Sequence, residues 1–426
     1  MNTPTMNTPT SATRRRAAAT FAATAALAAL TVSGPAATPA AADGADDGTQ
    51  LASTDCQFGG KVIKGTPWSL QRVITKQLWA HGTGEDIKVG VVDTGTDTVN
   101  PQLRGAVAKG KSFVAKSSPT KDEVGHGTKV AGIIAARKTT GKDKGSGFHG
   151  MAPGATVVPL QTSTKEAGGN LASMVGAIDY AVKSGIKLIN ISQGTTADPS
   201  QLGPLETAVA RAEQADVLIV ASAGNSGESG KTSTSYPAAL PNSNVLSVAA
   251  SDRNNERAPF SSPNKEVDIA APGVDMVSTV PAGGQCVDQG TSFSAPYATG
   301  VAALLQQQHP DWKPKHVIWH LESTAMRTHA KHDKNIGWGV LDPVKAVKDT
   351  TKPTHQPTNA ELQAGTSTGT GEKVTAAKMT LGETPQERNA RYGTFLVIGG
   401  GLGLAVITAG AMARRDWLRR RGEDVL

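Results

Sequence analysis

Five short runs of apolar, largely β-branched residues punctuate the middle of the chain. They are IKVGVVD (Ile87 to Asp93), ATVVPLQ (Ala155 to Gln161), KLINIS (Lys187 to Ser192), DVLIVASA (Asp216 to Ala223) and NVLSVAA (Asn244 to Ala250). Runs this short and this continuously apolar read as buried strands. Between several of them apolar residues recur at helical spacing: HGTKVAGIIAA from His126, LASMVGAIDYAV from Leu171 and PLETAVARAEQA from Pro204. Alternation of strand and helix predicts an α/β fold, a mostly parallel sheet with helices on both faces. The folded region is expected to run from about Thr54 to Val347. In such sheets functional residues collect just beyond the carboxyl ends of the strands.

Two apolar stretches fall outside this alternation. Residues 1–42 hold three arginines (Arg14, Arg15, Arg16), an Ala/Leu run and small residues at Ala40, Ala41 and Ala42, the layout of a secretory signal peptide cleaved after Ala42. An alanine follows Arg16, which argues against a twin-arginine export signal. Thr394 to Ala413 carries no charge and is long enough to cross a bilayer once as a helix. ARRDWLRRR follows it, so the tail at 414–426 is expected in the cytoplasm and the folded domain outside. Gly399 and Gly403 make a GxxxG pattern, a weak signal in so glycine-rich a span. Residues 348–393, rich in Thr, Gly, Pro, Gln and charge, read as a disordered linker, and 43–66 as an N-terminal extension.

Charge adds to this picture. Of the formal +7, the arginine run supplies three and the tail after Met412 two (five arginines against three acids), which leaves two for everything between. The basic balance therefore belongs to the two ends, as a membrane partner predicts, and gives no reason to expect nucleic acid. Cys56 and Cys286 both lie in the part expected outside the cell, where an even count favours a disulfide. Closing so long a loop stabilises a fold by about 5 kcal/mol on the chain-entropy account.

Candidate chemistry sits at the strand ends. Asp93 closes the run VGVV, His126 opens a small-residue helix between two glycines, and Ser292 opens another helix in GTSFSAP. Each alone has a plainer reading: a turn cap, a first-turn residue, a helix cap. Together they are the parts of nucleophilic acyl transfer. The serine needs a base to take its proton, and the base needs a carboxylate to fix its tautomer. Asn225, in VASAGNSG at another strand end, can donate a side-chain N–H to an oxyanion. The Ser292 backbone N–H can donate a second.

At VVDTGTD, GHGTKVAGIIAA, ASAGN and GTSFSAP the chain resembles the subtilisin-like serine proteases, over roughly Pro67 to Val347. The resemblance implies a doubly wound α/β domain at 67–347 and an Asp-His-Ser triad of Asp93, His126 and Ser292. It also implies substrate-binding walls, Ser192-Gln193-Gly194 on one side of the cleft and Ser222-Ala223-Gly224 on the other, with the peptide held by main-chain pairing. Three positions depart from the family pattern. Gln193 stands where an apolar residue is common, Lys129 replaces a frequent second histidine, and Ser294 stands where alanine is usual.

Signal peptide, protease domain, linker, membrane span and short basic tail together resemble the mycosins, membrane-anchored subtilases of type VII secretion. So do GSGFHGMAPGA and APFSSPNKEVDIAAPGVDMVSTVPAGG. The resemblance implies secretion-complex proteins as partners and exported proteins as substrates. The cysteine that mycosins carry before GHGT is absent from DEVGHGT. The 43–66 extension is too short for a separately folded inhibitory prodomain, and is expected to stay attached and wrap the domain. No cofactor is expected. Subtilases often bind structural calcium, but no EF-hand-type run occurs and no ligands are assigned. HVIWH (His316 to His320) spaces two histidines for a metal, yet lacks the glutamate of HExxH and reads as a surface helix.

Overall fold

The computed structural model describes residues 56–138, 145–165, 170–228, 234–327, 331–360 and 407–415. The five expected strands form as β1 (Lys88–Asp93), β3 (Thr156–Gln161), β4 (Leu188–Ile191), β5 (Leu218–Ser222) and β6 (Val245–Ser251). Together with β2 (Lys111–Ser112) and β7 (Ile269–Pro272) they make a seven-stranded sheet in the order β2-β3-β1-β4-β5-β6-β7. Every pairing in it is parallel. A separate antiparallel hairpin joins β8 (Met276–Thr279) to β9 (Gln285–Asp288).

The helices are α1 (Trp68–Gln71), α2 (Thr75–Leu78), α3 (His126–Ala135), α4 (Leu171–Lys183), α5 (Gly203–Gln214), α6 (Thr291–Gln308), α7 (Pro314–Thr324) and α8 (Pro343–Lys348). The period of two along each strand sorts side chains between two cores. Val89, Val91, Leu188, Leu218 and Val220 join the residues of α3 and α6, whereas Val92, Ile189, Ile191, Ile219 and Ala221 join those of α4 and α5. Small residues let α6 approach the sheet closely: Ala295, Ala298, Ala302 and Ala303 are fully buried.

Cys56 and Cys286 are joined, with Cα atoms 5.3 Å apart. The extension then runs along the hairpin. Ile63 N–H donates to Gln285 Oε1 (2.7 Å), and Gln285 N–H donates to Lys61 O (3.1 Å).

Two segments make contacts that composition and spacing do not give. The segment expected to be a disordered linker begins with residues held on the domain: Lys352 pairs with Asp311, Gln356 donates to Glu322, and His332 N–H donates to Asn359. Three such polar contacts fix residues whose composition alone would leave them unfolded. The helix containing HVIWH, α7, buries the face with Val317, Ile318, His320 and Leu321, while Lys315, His316 and Trp319 are half-buried and Ser323 is exposed. His320 is spent on a structural bond, its Nε2 lying 2.8 Å from Ala346 O. Among the described residues no cluster of three or more His, Cys, Asp or Glu could hold a metal.

The expected signal peptide lies outside the described residues, as does most of the expected membrane span. Of the latter only 407–413 is described, within a helical piece at 407–415. Among the described residues no helix is long and apolar enough to cross a membrane.

Candidate active site

The carboxyl edge of the sheet gathers the candidate residues. Asp93 ends β1 with no exposed surface, and His126 opens α3 nearly buried. His126 Nδ1 lies 2.7 Å from Asp93 Oδ1, which also accepts Thr94 N–H at 2.8 Å. An imidazole that gives its Nδ1 proton to a carboxylate keeps Nε2 as the nitrogen able to take one. The approach of α3 to β1 depends on Gly127, since a β-carbon there would stand 2.0 Å from Gly95 O and 3.2 Å from Asp93 Cβ.

Asp122, which sequence reasoning missed, holds the start of α3. Its two oxygens accept the N–H groups of Gly125 and Thr128 (both 2.8 Å) and the hydroxyls of Thr94 and Thr128. Thr94 Oγ1 in turn accepts Gly127 N–H at 2.9 Å. One buried carboxylate thus ties the end of β1 to the first turn of α3. An acidic residue four positions ahead of His126 was the available signal, a helix-start pattern.

Ser292 sits in the first turn of α6, where backbone N–H groups have no partner within the helix. Pro296, inside the same helix, has no N–H to give Ser292 O, its partner four residues back. Ser192 supplies the missing bond: its Oγ donates to Ser292 O at 2.8 Å. Ser192 Oγ accepts from Asn190 Nδ2 at 2.8 Å, and Asn190 Oδ1 lies 2.9 Å from the hydroxyl of Thr299 on α6. Ser292 Oγ donates to Ser192 O at 3.1 Å. The serine is therefore locked to β4 through main chain and side chain alike. Asn190 was visible as one amide in an otherwise apolar strand, but its partner lies 109 residues away.

Asn225 is oriented by Thr291, whose N–H and Oγ1 approach its Oδ1 at 2.9 and 2.8 Å. With Oδ1 engaged, the amide's Nδ2 is the group left to donate. Gly290, at φ 148°, has no side chain to crowd it; a β-carbon there would come within 3.2 Å of Nδ2.

His126, Ser292 and Asn225 all face one cavity of about 360 Å³. Ser192, Gln193 and Gly194 line it after β4, and Ser222 and Gly224 line it at the end of β5. Ala223 does not: its side chain packs in a small core with Ala249, Val267 and Ala270. Strand alternation turns it away from the cleft that Ser222 and Gly224 face. Ser235, absent from the sequence reading, lies between the two walls. A β-carbon on Gly194 would meet Ser235 Oγ at 2.1 Å, and one on Gly224 would meet Ser235 Cβ at 3.1 Å. Gln193 is anchored by donating to Lys165 O at 3.0 Å. With Thr196, Ser226 and Ser235 also facing it, the cleft is polar on several sides. Lys129 is buried and pairs with Asp288 at 2.5 Å on the cavity's other flank. Ser294 is buried with no hydrogen-bond partner for its hydroxyl among the described residues.

Comparison with known proteins gives the arrangement a family. The subtilase family profile matches residues 84–339. Subtilisin E of Bacillus subtilis is 36% identical over 268 residues, covering 62% of this chain and 67% of that protein. Among solved structures, the MycP3 protease from the type VII (ESX-3) secretion system superposes with a TM-score of 0.59 at 28% identity, over 67% of this chain and 90% of its own. MycP1 from Mycobacterium smegmatis superposes with a TM-score of 0.61 at 25% identity, over 72% of this chain and 91% of its own. The profile spans more than half of the chain and contains Asp93, His126, Asn225 and Ser292: the chain belongs to the subtilase family of serine proteases.

Proposed function

We propose that this serine protease is an extracytoplasmic, membrane-anchored endopeptidase that cuts exported proteins through Asp93, His126 and Ser292. The observation that carries the proposal is the Asp93–His126 bond of 2.7 Å opening onto the cavity that Ser292 shares. The hydroxyl of Ser292 exchanges its resting bond to Ser192 O for His126 Nε2, gives up its proton there, and attacks the scissile carbonyl. Asp93 holds the tautomer and stabilises the imidazolium that forms. The oxyanion receives Asn225 Nδ2–H and the Ser292 backbone N–H, the latter at the positive end of α6. As the C–N bond breaks, the imidazolium gives its proton to the departing amine. Water, activated by the same imidazole, then hydrolyses the acyl-serine and restores the hydroxyl. The hydroxyls, the Gln193 amide and the glycines of the cleft suit a small or polar residue before the scissile bond.

The uncharged stretch at Thr394 to Ala413, the basic tail after it and the signal-like residues 1–42 support the anchoring and its orientation. Likeness to MycP3, a protease of a type VII secretion system, supports a place in secretion. It also favours a second reading, in which the chain is a structural part of a secretion-membrane complex and proteolysis is secondary. Fluorophosphonate labelling of membranes followed by peptide mapping tests the first reading: the label is expected on Ser292, and Ser292→Ala should abolish amide hydrolysis. Wild-type hydrolysis by that variant would end the catalytic assignment. Export that survives Ser292→Ala but fails on deletion of the chain would favour the second reading.

A further inference from the structure

Phe58 is an apolar side chain left 48% exposed, two residues beyond the disulfide that pins the extension. Its backbone is held in place, because the next residue, Gly59, donates its N–H to Pro281 O at 2.9 Å. The ring lies over Gly125, the residue just before His126. A β-carbon on Gly125 would meet Phe58 Cε1 at 2.7 Å and Pro281 Cδ at 3.2 Å. Cys286 and Asp288 share β9 two residues apart and so face the same side of the hairpin, and Asp288 lines the cavity. Phe58 is therefore held next to residues that adjoin the cavity lining: its ring lies against Gly125, which precedes His126, and Cys56, two residues before it, is bonded to Cys286, two residues before Asp288.

The topology says which rim. The cleft walls follow β4 and β5, whereas His126 bonds to the end of β1, on the far side of β4 from β5. Along the sheet edge Ser292, bonded to Ser192 at the end of β4, thus has His126 toward β1 on one side and the β5 wall on the other. A leaving amine must lie within reach of the imidazole that protonates it. The chain beyond the scissile bond accordingly leaves over the side that holds His126, Phe58, Pro281 and Asp288.

We infer that Phe58 is a specificity-determining contact for the leaving-group half of the substrate, favouring an apolar residue within the first two positions past the scissile bond. The extension is then part of the substrate groove, and its disulfide sets the position of the ring. This inference rests on the catalytic reading above. A half-exposed ring gains by covering apolar surface, and an apolar substrate residue is the partner that lets it do so.

The test compares wild-type protein with Phe58→Ala and Phe58→Leu on two substrates that share one acyl half. One continues for four residues past the scissile bond with leucine at the first two; the other ends there in an aminocoumarin amide. Phe58→Ala is expected to lower kcat/KM on the long peptide by about 5- to 20-fold and leave the coumarin amide within about twofold. Phe58→Leu should restore most of the loss. Equal effects on both substrates, none on the long peptide, or a gain on both would overturn the inference, the last marking Phe58 as an obstruction. Fluorescence anisotropy of the labelled long peptide on Ser292→Ala protein, with and without Phe58→Ala, reads the contact without catalysis. Weaker binding there by a similar factor supports Phe58 even if hydrolysis traces to another residue; unchanged binding overturns it.

Discussion

Asp268 and Glu322 meet behind β7, and their pairing makes stability depend on pH in a direction opposite to most carboxylates. Asp268 is part-buried and accepts Ser247 N–H at 2.7 Å, while Glu322 is fully buried and accepts from Gln356 at 2.8 Å. Glu322 Oε2 is buried with no hydrogen bond of good geometry among the described residues, and Asp268 and Trp338 are its polar neighbours. Burial, with Glu266 nearby, pushes Asp268 up from 3.8 to about 7; burial and the Asp268 charge push Glu322 well above the usual range. The folded pair therefore keeps protons that the unfolded chain releases near pH 4. Its contribution is complete below that pH and is lost as pH rises through about 7. Between pH 5 and pH 8 about two of the three units separating the folded and unfolded Asp268 are crossed, a ceiling of about 3 kcal/mol. Water on the exposed side of Asp268 lowers this to roughly 2 kcal/mol.

Asp268→Asn isolates the effect. Its Oδ1 can still accept Ser247 N–H and its Nδ2 can donate to Glu322, so shape and bonds survive while the Asp268 titration is removed and that of Glu322 stays in both proteins. Urea unfolding followed by tryptophan fluorescence, in a Ser292→Ala background to prevent self-digestion, measures both proteins at several pH values. Wild-type stability should fall relative to Asp268→Asn by roughly 2 kcal/mol from pH 5 to pH 8, with unchanged denaturant slopes. Stability curves that run parallel across this window would refute the reasoning.

Three further outcomes are expected. Asn225→Ala should lower kcat by about 10²–10³ with little change in KM, the loss known for the equivalent donor of subtilisin; a fall confined to KM would show that Asn225 serves ground-state binding. Ser294→Ala removes a buried hydroxyl that has no partner among the described residues and should stabilise the protein by about 1 kcal/mol in thermal unfolding, while a lower Tm would reveal a further acceptor. Gly127→Ala drives a β-carbon into Gly95 O and should part α3 from β1, costing activity at least about 10²-fold. Retained activity in that variant would mean that Asp93 and His126 stay in register without the glycine.

Much of the fold was legible because a parallel sheet buries its strands on both faces. VGVV, VVPL, LINI and LIVAS therefore stand out as continuous apolar runs. The β8–β9 hairpin was not legible, since MVST and QCVD are short, mixed in polarity and made into strands by pairing with each other. The direction of the Ala223 side chain was not legible for a related reason. The motif supplies three consecutive residues, and only the strand's alternation decides that the middle one turns into the core.

The amino-acid order alone determined which chemistry was possible. It placed a carboxylate, an imidazole, an alcohol and an amide at the ends of predicted elements, and two cysteines where oxidation could join them. Those are properties of residue type and local pattern. Tertiary structure decided what holds each group in position: Asp122 beneath His126, Thr291 behind Asn225, Asn190 and Ser192 under Ser292, and Phe58 beside Gly125. These partners are set by backbones meeting across separations such as the 100 residues between Ser192 and Ser292. No local pattern encodes such a meeting, because each hydrogen bond exists only after the sheet has brought its two ends together.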